Sequence, residues 1–386
     1  MDHLVLQQPI QNPRQGPATW QRELDAHAHG QPSQPNHPFV GQFKRATHTL
    51  SSANRTCKDV MQHSNPTELS SQPIIDVSIV IVTWNALELL RDCLDSVPAG
   101  AAGINYELCV VDNNSSDGTV AAIKAEYPCV RIIANTGDVG PAVGNNLGAK
   151  GARGRYLFLL NPDTKLYPGV IKALVDYADQ HDDVGAVGPR LLNPDGSLQR
   201  SCWRNYPGIR MLLIDALYLW KIPWLPLTRY SEYTPGELTD IREVDHMQGA
   251  GLLIRRTLWE RLAGFDEQYF MYLEETDWCL RAKQAGCRLV YYPKVEMMHY
   301  GQTSAHKEPS AGQTRLYRSY CLFYRKHTQT GQFGIALLKA SIVLSSVVRI
   351  MLWKWRAFGA RTPDAKREAG LRSLGYRRVL SEVSAY

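Results

Sequence analysis

Leu157-Phe158-Leu159-Leu160-Asn161-Pro162-Asp163-Thr164 is a run of four apolar residues that ends in a polar tip. The run is short, unbroken and bounded by Arg155 and by Asn-Pro, which reads as a buried strand rather than a helix. No polar residue alternates within it, so both faces are covered, as in a central parallel strand of an α/β sheet. Asp163 then sits just past the strand's carboxyl end, the edge where open α/β sheets bind ligands. A carboxylate there can hold a hard divalent cation, Mg²⁺ or Mn²⁺, which in turn grips a diphosphate. Taken alone, Asn161-Pro162-Asp163 reads first as a turn with a solvated carboxylate. The segments around it shift that balance.

On the N-terminal side, Val77 to Val82 is a β-branched run ending at Thr83-Trp84-Asn85. Helical spacing follows through Leu87, Leu90, Leu94 and Val97 and stops at Pro98. Leu108 to Val111 is a second buried strand, running into Asp112-Asn113-Asn114-Ser115-Ser116-Asp117-Gly118-Thr119. A short helix over 120–127, a strand over 130–134 and a Gly/Asn-rich, then helical, stretch from Asn135 to Gly151 complete the pattern. Strands alternating with helices of this length predict right-handed βαβ units and a parallel sheet. On the C-terminal side, a helix is expected over 168–180 and a strand over 184–187. Asn193-Pro194-Asp195-Gly196 is a hairpin turn. Residues 201–235 carry Trp203, Trp220 and Trp224 among Leu, Pro and Arg, which suits an acceptor-side or membrane-facing insert, with a core loop as the alternative. Glu274, Glu275 and Asp277 open a helix that stops at Gly286. Acids in a first turn are also what the helix dipole favours in a plain cap. Leu289 to Tyr292 is a strand stopped by Pro293, and His299 follows a Met pair.

A chain of 386 residues allows one large catalytic domain with appendages or two small domains. Residues 1–73 are rich in Gln, Pro, His, Ser and Asn and predict a disordered tail, its histidines solvated rather than metal-bound. Residues 74–300 form the expected globular domain and 301–386 a helical, membrane-associating region. The net charge of +6 fits an anionic substrate or membrane face and does not by itself indicate nucleic acid. None of the eight cysteines forms a CxxC pair, which argues against zinc and for a reducing, cytosolic compartment. No N-terminal stretch pairs a basic start with an apolar core, so no secretory signal is expected. Arg315, Arg318, Arg325 and Lys326 alternate with Tyr317, Tyr320, Phe323 and Tyr324. Phe333 to Trp355 is mostly apolar, broken by Lys339 and Arg349. Its uninterrupted part, 340–348, is too short to span a bilayer. With Trp353 and Trp355 beside basic residues, the expectation is a helix lying in the interface at the inner face of the cytoplasmic membrane. The last 25 or so residues are charged and expected to be loosely ordered.

Four blocks now stand in one order: Val80 to Asn85, Val111 to Thr119, Leu159 to Asp163, and Gly264-Phe265-Asp266-Glu267 running into Met271 to Asp277. Together they resemble the family 2 inverting glycosyltransferases with a GT-A fold, in particular the rhamnosyltransferase-like branch, over roughly residues 76–300. The resemblance implies an α/β fold with a mixed sheet flanked by helices. It places Thr83 and Asn85 against the nucleotide, with Asp112 accepting from base or ribose. Asn114 and Asp117 would order that loop, and Asn135 and Asn145 would lie in the nucleotide-sugar loop. Asp163 matches the last Asp of the metal motif, with His299 completing the shell. Glu275 matches the catalytic base, and Gly249, Gly251 and Trp278 fall on the acceptor side. Asn161 and Glu275 depart from the usual acids of the motif, which leaves Glu274 and Asp277 as alternative bases. Asp138 stands where an apolar residue is common, so the loop from Asn135 to Asn146 fits only with a gap.

The implied chemistry needs a cation to neutralise the leaving diphosphate and a carboxylate to take the acceptor's proton. Glu275 at a helix start would be accessible, though the dipole would favour its charged form and limit its basicity. The partners expected are a nucleotide-diphosphate sugar and a saccharide or lipid-linked saccharide. Two rival readings are a catalytically inactive, membrane-bound scaffold and a nucleotidyltransferase. The latter would want a basic, glycine-rich loop where Thr83-Trp84-Asn85-Ala86 stands.

Overall fold

A computed structural model describes residues 74–216, 219, 233, 235–301, 309–329 and 331–386. The tail over 1–73 and the tryptophans at 220 and 224 lie outside the described residues. The first half of the sheet is built as its alternation predicts. Strand β1 (Val77–Thr83) pairs in parallel with β2 (Tyr106–Asp112) on one side and with β4 (Tyr156–Leu160) on the other, and β2 pairs in parallel with β3 (Arg131–Ala134). Helices α1 (Leu87–Gly100), α2 (Thr119–Glu126) and α3 (Gly140–Ala149) join them. The chain reverses direction across the sheet between β1 and β4, which opens a crevice at the carboxyl ends of these two strands. Every residue of β4 is buried.

Helix α3 lies close on β1 because two of its residues have no side chain. A Cβ on Gly144 would come 2.7 Å from Val82 Cγ1, and one on Gly148 would overlap Val80. The Gly/Asn-rich composition of this stretch therefore serves packing as much as loop geometry.

The second half adds antiparallel strands to this parallel start. Beyond β4 the order continues β11 (Gly251–Arg255), β6 (Val184–Leu192), β12 (Arg288–His299), β5 (Thr164–Leu166). Strand β11 runs antiparallel to both β4 and β6, and β12 is parallel to β6 but antiparallel to β5. The sheet is mixed, as the family resemblance implies. Helix α4 (Val170–Asp179) buries Ile171, Leu174 and Val175 in the core cluster on one face. The predicted hairpin forms, with Leu191 opposite Gln199 on β7 (Leu198–Gln199). Pro293 does not stop β12: the strand passes through it with a register shift between Tyr292 and Glu296, where a missing N–H does little harm. Among the described residues Cys93, Cys109, Cys129, Cys202, Cys279 and Cys321 are free thiols.

Helices α8 (Pro309–His327), α9 (Gly331–Gly359) and α10 (Pro363–Glu382) form the C-terminal unit. Two expectations are corrected here. Helix α9 runs straight through Lys339 and Arg349 and is long and apolar enough to cross a membrane by length and composition. The charged terminal stretch is an ordered helix that buries Ala369, Tyr376 and Val379. Its Thr362 hydroxyl accepts from the Ala365 N–H as an N-cap.

One ionic cluster joins this unit to the sheet domain. Asp277, on helix α7 (Glu274–Gln284), is fully buried. It accepts from Arg281 Nε at 2.7 Å, from Lys326 Nζ at 2.7 Å and from His327 Nε2 at 2.7 Å. Lys326 also reaches Asp266 at 2.6 Å, and the Ser319 hydroxyl donates to the Met271 carbonyl. Burial alone would raise the Asp277 carboxyl. The His327 hydrogen bond and the Arg281 and Lys326 charges reverse this and hold it well below the usual carboxylate range.

Two stability outcomes follow. Gly148→Ala should cost about 1–3 kcal/mol in urea unfolding by overpacking, while Gly137→Ala, with open space around it, should stay within about 0.5 kcal/mol. Asp277→Asn at pH 7 should cost about 3–5 kcal/mol, because it leaves buried cations unmatched. The stabilisation by a depressed carboxyl is present above its unfolded pKa of about 3.9 and fades as pH falls below it, so the gap between wild type and variant should narrow in acid.

Candidate active site

The crevice floor is set by two strand ends. Thr83 and Asp112 are partners in the parallel ladder of β1 and β2, and both are buried. Asp112 Oδ2 accepts from the Ser115 N–H at 2.9 Å. Thr83 Oγ1 and Asp112 Oδ1 are buried with no hydrogen-bond partner. Buried polar atoms are almost always satisfied, so an unmatched pair at a sheet's carboxyl edge marks a place for a ligand's donors and acceptors.

The loops above are held from within. Asn85, in a left-handed conformation (φ 51°), accepts from the Ser116 N–H at 2.7 Å, so its side chain spends its oxygen on the loop rather than on the crevice. Asp117 accepts from the Leu87 N–H and from Thr119, which ties this loop to the start of α1. Asn114 is exposed at φ 62°. Asn145 donates to the Pro141 carbonyl of its own helix. Asn113, which the sequence reading passed over, is the hub. Its backbone N–H donates to the Thr83 carbonyl, its Oδ1 accepts from Asn135, and its Nδ2 reaches Asp138 Oδ1. Asp138 also accepts from the Gly140 N–H at 3.0 Å, which accounts for a carboxylate at an unexpected position.

At the end of β4 the polar tip meets the end of β12. His299 Nε2 lies 3.3 Å from Asp163 Oδ1 and 3.3 Å from Asn161 Nδ2. Gln199 fixes this imidazole. Its Nε2 donates to Asn193 Oδ1 and to the His299 carbonyl, so its Oε1 is left to accept from His299 Nδ1–H at 2.7 Å. That tautomer leaves the Nε2 lone pair turned to Asp163 and Asn161. A lone Gln in a short hairpin strand carries no signal that would have singled it out. Among the described residues no group of three or more His, Cys, Asp or Glu is placed to hold a metal. One carboxylate and one imidazole nonetheless suit a cation that takes most of its oxygens from a diphosphate.

Gln248-Gly249-Ala250 bridges this corner to the acidic helix. The Asn161 N–H donates to the Ala250 carbonyl at 3.0 Å, and a Cβ on Gly249 would lie 3.9 Å from Glu275 Cβ. A Cβ on Gly251 would come 2.5 Å from Met297 Sδ, so the Met297 thioether packs directly on the backbone of this strand. The turn into α7 is strained: Tyr272 and Leu273 both have positive φ (69° and 66°), at a cost on the order of 1–3 kcal/mol each. Asn146 steadies the preceding motif by bonding both the N–H and the carbonyl of Phe265 at 2.9 Å.

The acids at the helix start differ in environment. Burial pushes Glu275 up to about 7, against the pull of the backbone N–H groups at the helix start. The expected dominance of the dipole is therefore corrected: desolvation wins. Glu274 is raised further, by burial and by the Glu275 charge. Each has a buried Oε2 with no hydrogen-bond partner. Asp277 is no base, since its oxygens are engaged by cations. Trp278 is fully buried and tilted against Trp259, so it belongs to the core and not to an acceptor surface. Trp203 stacks on His246 at 5.1 Å, and His246 Nδ1 lies 3.4 Å from the Thr276 hydroxyl on α7.

Residues 78–225 match the family described as Glycosyl transferase family 2. An N-acetylglucosaminyl-diphospho-decaprenol L-rhamnosyltransferase of Mycobacterium tuberculosis is 33% identical over 260 residues, covering 64% of this chain and 82% of that protein. The rhamnosyltransferase WbbL of Escherichia coli is 25% identical over 58% of this chain and 83% of its own length. A mannosyltransferase from Pyrobaculum calidifontis, solved with GDP-Man and Mn²⁺, superposes with a TM-score of 0.46 at 16% identity, over 85% of this chain and 89% of that one. With a third of its residues shared across most of the mycobacterial enzyme's length, the chain belongs to glycosyltransferase family 2, on its rhamnosyltransferase-like side.

Proposed function

We propose that the chain transfers rhamnose or another deoxyhexose from a nucleoside diphosphate, with inversion, to a saccharide or lipid-linked saccharide. It would do so at the cytoplasmic face of a membrane during cell-surface polysaccharide synthesis. The observation that carries this reading is the pairing of Glu275, raised to about 7, with the Asp163–His299 corner across one short glycine-rich bridge.

Thr83 and Asp112 offer a hydroxyl and a carboxylate acceptor, respectively, to the base or ribose. Asp163 and His299 would hold a divalent cation, Mn²⁺ or Mg²⁺, which supplies Lewis-acid neutralisation of the departing diphosphate. Gln199 keeps the His299 Nε2 lone pair available for that role. Glu275 takes the proton from the acceptor hydroxyl as it attacks the anomeric carbon from the face opposite the diphosphate. A base near pH 7 is matched to that task, being ionised yet still avid for a proton. Burial and the Glu275 charge push Glu274 upward beside it, so the pair resists carrying two charges at once. Gly249 leaves open the space in front of Glu275 where the acceptor would enter.

Glu275→Gln should lower kcat by about 10²–10⁴ with unfolding unchanged, while Glu274→Gln keeps most turnover. Near-normal turnover in Glu275→Gln would remove the assignment. Because the base works deprotonated, kcat/KM should rise with pH through an inflection near 7. Asp163→Asn should abolish Mn²⁺-dependent binding of a nucleotide sugar, read by calorimetry. A folded wild type that binds no nucleotide sugar in a donor panel would favour the inactive scaffold instead.

A further inference from the structure

Helix α9 buries Leu338 and Ile342 but leaves more of its large apolar side chains exposed than buried. Its inward face carries Ser341, Ser345, Ser346 and Arg349, with Arg349 only 1% exposed, bonded to Ser345 and 5.6 Å from the Tyr376 ring centre. Its outward face carries large apolar side chains: Phe333 is 82% exposed, Met351 65%, Trp355 73% and Phe358 92%, with Leu337 and Leu344 between them. The spacing 333, 337, 344, 351, 355, 358 keeps these six on one stripe along the whole helix, about 43 Å at 1.5 Å per residue. A continuous exposed stripe of this kind marks a surface that meets something apolar.

We infer that α9 seats the protein on an anionic lipid bilayer, lying in the plane of the interface with this stripe among the acyl chains. The inference deepens the membrane placement proposed above and does not depend on the sugar, the acceptor or the base. Charge selects the occupant. All four charged residues of α9 are basic, namely Lys339, Arg349, Lys354 and Arg356, and it has no acidic residue. A second copy of the helix would bring cation to cation, whereas lipid phosphates bring anions. Arg356 lies over the Trp353 ring at 4.7 Å, a pairing of cation and indole suited to the headgroup level.

Packing selects the orientation. Helix α10 lies along α9, with the Arg372 guanidinium 5.1 Å from the centre of the same Trp353 ring. Eight of its twenty residues are charged. A helix so covered cannot enter hydrocarbon on its own, so α9 lies flat although it is long enough to cross. The consequence for the site is geometric. Helix α8 packs against both α9 and, through Lys326 and His327 on Asp277, the helix that bears Glu275. The seat on the bilayer therefore fixes the height of the base above the lipid surface.

The test is cosedimentation of the full chain with vesicles. The wild type should bind vesicles containing phosphatidylglycerol about tenfold more than vesicles of phosphatidylcholine alone, and less as salt is raised. The double variant Met351→Glu/Trp355→Glu should lose that binding about tenfold while keeping wild-type thermal unfolding and nucleotide-sugar hydrolysis. Vesicle binding unchanged in the variant would overturn the inference, as would a wild type that ignores vesicles and forms a dimer that the variant abolishes. Resistance of the wild type to carbonate extraction from membranes would overturn the in-plane orientation. Loss of hydrolysis in the wild type would count against the proposed chemistry and leave the vesicle result standing.

Discussion

A carboxylate with no access to water has to be met by cations, and Asp277 draws its cations from two separate parts of the chain. Arg281 comes from its own helix, whereas Lys326, with the His327 imidazole bonded to the same oxygen, comes from the far end of α8. Removing either side would leave a buried charge unmatched, so the sheet domain and the C-terminal helices are bound to fold against each other. The strained turn at Tyr272 and Leu273 sits directly before this helix. It persists because the surroundings over-determine it: Ser319 holds Met271 from one side and Asp277 anchors the helix from the other. Glu275 thus projects from a backbone that is held in place rather than relaxed into place.

Three acids in one helical turn end up with different roles because their surroundings differ. Asp277 is ringed by positive groups and stays ionised. Among the described residues, Glu274 and Glu275 have no such cations beside them, and desolvation pushes both toward the protonated form. Helix position alone would have treated all three alike, as acids favoured by a dipole worth a few tenths of a kcal/mol to about 1 kcal/mol. Desolvation of a buried carboxyl is larger, so environment rather than position decides which one can act as a base.

What the sequence disclosed was local. The apolar run before Asn161, the turn at Asn193 to Gly196 and the acidic opening of a helix at Glu274 each depend on adjacent residues, and each is found where it was read. What it hid depends on distant partners. The five residues of β11 are too few to announce that they run antiparallel. Nothing near Asp277 in the chain foretells Lys326, and nothing near Gln199 foretells His299 a hundred residues on. The resemblance put Trp278 on the acceptor side, yet the helix turns it into the core. The long apolar helix was underestimated for a related reason: Lys339 and Arg349 read as interruptions, but Arg349 is satisfied from inside by Ser345 and Tyr376.

The bridge Gln248-Gly249-Ala250 has a consequence for how this enzyme could diversify. It enters β11, which is paired on both sides, and its last carbonyl is tied to Asn161. A segment moored like this cannot swing aside to welcome a bulkier guest. New acceptor preferences would have to arise by swapping the side chains that surround the opening, with the hinge-free floor inherited unchanged.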